Sequence, residues 1–189
     1  MMRRSLFNTL SNQERSLSEV WQWYEFQCAL VDEEKRRVLG ALARGESPAD
    51  RYYGKTRKEL DDDFAFQTAE LNLLSMFSML ACTEAALRVD FVVRVRNRKK
   101  DEVSRSFHAA HRELGDRIRL EEDILDVWRE YGDVGIKGAV SKFKGTLTLR
   151  HWLAHGRWWK AKLGHAAGYN PLGVFDICRD LLQVIGLAP

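Results

Sequence analysis

Arg150 and His155 stand five positions apart in Leu149-Arg150-His151-Trp152-Leu153-Ala154-His155-Gly156, and together they hold two complementary chemistries. An arginine presents a planar, permanently charged fork that binds phosphate oxygens through paired donors. A histidine titrates close to neutral pH, with an ordinary pKa of about 6.5, so it can accept or deliver a proton during a reaction. The run therefore predicts a phosphate-handling site. Charge agrees with this: no acidic residue occurs between Asp133 and Asp176, whereas Lys137, Lys142, Lys144, Arg150, Arg157, Lys160 and Lys162 all fall there. The whole chain carries only +3, so the remainder is net acidic. Such a focus of positive charge attracts polyanions, RNA among them.

Side chains around the pair have competing readings. Arg150 and His155 could serve a helix end by binding its last carbonyls, with no chemistry at all. Five positions at about 100° each set them roughly 140° apart around a straight helix, so they converge only at a frayed end or with help from a second subunit. His151 and His155 share one helix face at the spacing of two metal ligands. A chelate needs a third donor, and the acid-free stretch supplies none, so neither a metal nor a cofactor is expected. Trp158 and Trp159 could stack on unpaired bases, although packing is the expected role for at least one. Glu84, alone among apolar neighbours in Thr83-Glu84-Ala85-Ala86-Leu87-Arg88, needs a cationic partner, either Arg88 one turn away or Arg150. His108 and His111 lie in a charged segment and are expected at the surface without a role.

The elements that must position these groups read as helices. Prolines are absent from Ala49 to Asn170, and 45% hydrophobic with 30% charged residues is a globular balance. Ser11 and Glu14 have capping-box spacing, predicting a first helix over about 12–43. Gly45, Pro48 and Gly54 mark a loop. A second helix begins near Glu59, is apolar nearly all round from Leu71 to Val95, and reads as the central element. The basic run Arg94 to Lys100 ends it, as a solvated face. One broken or two short helices follow over 101–114 and 117–130, separated at Gly115. Ile136 to His155 forms the helix bearing the motif, closed by Gly156, and Asn170-Pro171 starts a last helix. The expectation is one all-α domain over residues 1–189, a compact bundle of five to six helices with its core at about 12–186.

The octapeptide, in this helical setting, resembles the signature of the HEPN superfamily, named for higher eukaryotes and prokaryotes nucleotide-binding. Members are helical bundles with an arginine, four residues and a histidine on a late helix, and a glutamate resembling Glu84 on an apolar earlier one. The position after the arginine is usually small and polar in that family, so His151 is a departure. The resemblance implies a metal-independent endoribonuclease acting as a homodimer, of the kind found in bacterial toxin and phage-defence systems, with two copies of the motif meeting in one cleft. Arg150 and His155 are its implied catalytic residues, and His151, Glu84, Arg157 and Lys160 the supporting or RNA-binding set. In that chemistry the ribose 2′-hydroxyl attacks the adjacent phosphate and leaves a 2′,3′-cyclic phosphate and a 5′-hydroxyl.

Two other readings stand beside it. One is a non-catalytic HEPN-like module that binds RNA or nucleotide, or pairs with a protein such as an antitoxin or a nucleotidyltransferase. The other is a helical adaptor, for which Arg150 and His155 point away from each other. Three widely spaced cysteines, no signal-peptide core and no apolar run of about 18 residues predict a cytoplasmic, membrane-free protein.

Overall fold

Side-chain caps decide where the chain becomes helical in the computed structural model, which describes residues 13–46, 50–115, 117–157 and 168–189. α1 (Leu17–Ala43) starts at a reciprocal cap: the Glu19 N–H donates to Ser16 Oγ (3.1 Å), and the Ser16 N–H donates to the Glu19 carboxylate (2.8 Å). Residues 13–16 are not helical, so the box expected at Ser11 and Glu14 gives way to this one; Ser11 itself lies outside the described residues. Thr56 and Glu59 repeat the device at α2 (Arg57–Asn97). Asp101 caps α3 (Glu102–Leu114), and a π-helical segment, Leu120–Leu125, runs directly into α4 (Asp126–Tyr131). Asp133 caps α5 (Val134–Ala154), and Asn170 with Pro171 starts α6 (Pro171–Val184). The described residues thus form six helices and no strand. None of these helices is long and apolar enough to cross a membrane.

At 41 residues α2 is the axis of the bundle, and α1, α3, α5 and α6 all pack on it. Its partner α1 runs antiparallel, since Tyr24 OH donates to Asn72 (2.9 Å) while Lys35 pairs with Asp61 (3.5 Å). Beyond that point a small second core, Val38, Tyr52, Leu60 and Phe64, closes the α1–α2 end. The main core gathers Leu80, Leu87, Phe91, Phe107, Phe143 and Cys178, all essentially inaccessible. Burying each large apolar side chain contributes about 1.5–3 kcal/mol. Polar residues on the inner side of α2 are satisfied locally: Thr83 Oγ1 donates to the Met79 carbonyl at 2.8 Å, and Ser75 Oγ to that of Leu71 at 2.7 Å. All three cysteines are free, and burial pushes the Cys178 thiol up to about 12.

Two surface expectations change. Arg94 turns inward instead of joining the solvated basic run, while Arg96, Arg98, Lys99 and Lys100 remain exposed. His108 and His111, on α3, are half-buried rather than exposed, and His111 meets the Phe91 ring edge-on at 6.3 Å.

Candidate functional site

α5 carries the motif at its C-terminal end, where its buried stripe passes through Phe143, Thr146 and Leu149. Arg150 follows Leu149 and lies at the margin of that stripe, so its side chain reaches α2. There Arg150 Nη2 meets Glu84 Oε2 at 2.8 Å. The other oxygen of the same carboxylate accepts from Arg88 Nε at 2.9 Å, and Arg88 Nη1 donates to the Ile118 carbonyl at 3.3 Å. Glu84 therefore has both of the partners that its surroundings allowed. Its side chain is 15% exposed against 36% for Arg150, so the carboxylate sits deep and the guanidinium sits over it. Arg150 Nε is buried and has no hydrogen-bond acceptor among the described residues.

His151 and His155 lie on the opposite side of the motif, both exposed, with ring centroids 4.3 Å apart and planes inclined at 54°. Helical geometry holds as far as the second ring, because the His155 N–H donates to the His151 carbonyl at 3.2 Å. A Schellman closure then seals the end. The Gly156 N–H donates to the Leu153 carbonyl (3.3 Å) and the Arg157 N–H to that of Trp152 (3.1 Å), with Gly156 at φ 75°. Gly156→Ala is expected to lower stability by about 1–2 kcal/mol, since a Cβ there meets nothing within 4 Å and the penalty is the left-handed backbone alone. Urea unfolding with an unchanged slope checks this.

Past the closure, Arg157 forks onto Glu70 of α2, Nη1 to Oε1 at 2.7 Å and Nη2 to Oε2 at 2.8 Å, and this pairing holds the Glu70 carboxyl below its ordinary value. α5 thus runs antiparallel to α2, with Arg150 at Glu84 and Arg157 at Glu70. Arg157 is engaged by protein rather than left open to a ligand, a contact across 87 residues that no local pattern announces. Lys160, Trp158 and Trp159 lie outside the described residues. The structure therefore brings Arg150 to Glu84 and His151 to His155, in two pairs facing different ways from the end of one helix. Among the described residues no three His, Cys, Asp or Glu side chains gather as a metal-ligand set.

No family model, curated protein or solved structure matches this chain.

Proposed function

We propose that the chain is a metal-independent endoribonuclease that works as a homodimer, with Arg150 binding the scissile phosphate and His155 moving protons. The observation that carries this reading is the Glu84–Arg150 pair, a guanidinium held from behind by a deep carboxylate near the helix end that also bears His151 and His155. In the proposed reaction the ribose O2′ loses its proton to a base and bonds to phosphorus, the P–O5′ bond breaks, and O5′ leaves with a proton. His155 serves one of these transfers. The opposite transfer falls to the copy of His155 across the dimer, which also answers the angular separation of Arg150 and His155.

The long helices offer a face for such pairing. Phe66 and Glu84 are eighteen residues apart, five full turns of an α-helix, and so share one face of α2. Phe66 on that side is 67% exposed, Leu74 about 80° round the helix is 57% exposed, and the neighbouring α1 leaves Trp23, Phe26 and Leu30 open to solvent as well. Large apolar side chains grouped this way are characteristic of surfaces that associate.

Incubating the protein with total RNA in EDTA and mapping the fragment ends tests the reading. The expected result is 2′,3′-cyclic phosphate and 5′-hydroxyl ends at an undiminished rate; cleavage lost on chelation, or ends of the other polarity, would overturn it. A second reading, the helical adaptor, is favoured by one specific feature, the divergence of the Arg150–Glu84 and His151–His155 pairs. It predicts neither cleavage nor RNA binding in the same assay, whereas a non-catalytic HEPN-like module binds RNA, or an antitoxin or nucleotidyltransferase partner, without cutting it.

A further inference from the structure

We infer that His151 and His155 form a binding site for a divalent transition cation of the zinc, nickel and copper class, which blocks the imidazole that the ribonuclease reading assigns to proton transfer. Neutral imidazoles are the preferred ligands of these ions, whereas magnesium and calcium demand oxygen donors that this helix face lacks. Two nitrogens on one tetrahedral zinc lie about 3.4 Å apart, for Zn–N bonds of about 2.0–2.1 Å. Rings with centroids 4.3 Å apart reach that span by rotation about their own side-chain bonds.

Preorganisation separates this pair from two histidines on a fraying end. The His155 N–H bond to the His151 carbonyl keeps the four-residue spacing, and the Gly156 closure stops the helix from unwinding beneath it. Once one imidazole has bound, the second adds intramolecularly. Local charge does not forbid a cation, since the nearest described guanidinium groups along the motif, Arg150 and Arg157, each carry a carboxylate partner in Glu84 and Glu70. Both residues are exposed, and water fills the remaining coordination positions.

Binding itself does not depend on the ribonuclease reading, although its consequence for cleavage rests on it. The test is calorimetric titration of the tag-free full chain with Zn²⁺ at pH 7.5, in parallel with His151→Asn and His155→Asn, with circular dichroism confirming that each variant is folded. One zinc per chain is expected, weakened about tenfold or more by either substitution as the chelate becomes a single ligand. Unchanged affinity in both variants, or no uptake by the parent chain, overturns the inference. Zinc is then added to the RNA assay, where it slows cleavage by the parent chain and EDTA restores the rate. A chain that takes zinc through this pair but cuts no RNA removes the ribonuclease reading alone, whereas one that cuts RNA but binds no zinc here removes this inference alone.

Discussion

His155→Ala is expected to lower the single-turnover rate of RNA cleavage by about 10²–10⁴, the usual worth of a positioned proton-transfer group. The fold is not expected to change, because the closure at Gly156 uses backbone groups only and the His155 ring is exposed. Arg150→Ala removes the charge facing the phosphate and is expected to lower the rate by about 10²–10³. It too leaves a folded chain, since Glu84 keeps Arg88. Arg150→Lys restores little, as an ammonium cannot reproduce the fork that Glu84 orients. Rapid-quench cleavage of an end-labelled RNA, together with thermal melts, makes the comparison. An unaltered rate for His155→Ala removes the catalytic assignment, and a melting temperature that collapses in Arg150→Ala makes the Glu84 pair structural instead.

Much of this architecture was legible because caps and periodicity act locally. Asn170 with Pro171, and Gly156, mark helix ends through bonds spanning four or five residues, and the structure uses both. The start of α1 was not decidable in that way. Ser11 with Glu14 and Ser16 with Glu19 have the same pattern, and packing selects the second, which places Leu17 in the core as the first helical residue. The π segment had a quieter signal. Leu120 and Leu125 are both buried although five residues apart, a spacing that an α-helix turns to opposite sides and that i→i+5 bonding brings back into line.

The candidate site divides along the same boundary between local and distant. Glu84 demanded a cation by its chemistry, and its sequence named both Arg88 and Arg150, which the structure supplies together. Glu70 made no such demand. It lies on a half-open helix face where a solvated carboxylate is ordinary, so its fork with Arg157 emerged only when α5 was laid antiparallel on α2. The two histidines paired as their spacing required, since four residues on a helix need no tertiary information.

The inward turn of Arg94 supports the largest expected loss of stability. Its Nε donates to both Asp90 oxygens at 2.9 and 2.8 Å, Nη1 donates to Asp101 and Ser104 at the cap of α3, and the guanidinium lies 4.7 Å from the Trp128 ring centre. One side chain thus ties α2 to α3 and α4, with only 13% of it exposed and 5% of Asp90. Arg94→Ala is expected to cost about 3–5 kcal/mol, because a carboxylate remains buried without its cation. Burial already pushes the Asp90 carboxyl above its ordinary value, against the pull of Arg94. With the folded value raised, the stability linked to this group is complete below the ordinary carboxylate range and shrinks as pH rises through the folded value. Loss of Arg94 raises it further, so the variant's deficit should be smaller at pH 4.5 than at pH 7.5. Adding Asp90→Asn removes the stranded charge and recovers most of the deficit at pH 7.5. Urea midpoints of the parent, single and double variants at both pH values test this; a double variant no more stable than Arg94→Ala would mean that contacts to Trp128 and the α3 cap, not the charge pair, hold this corner together.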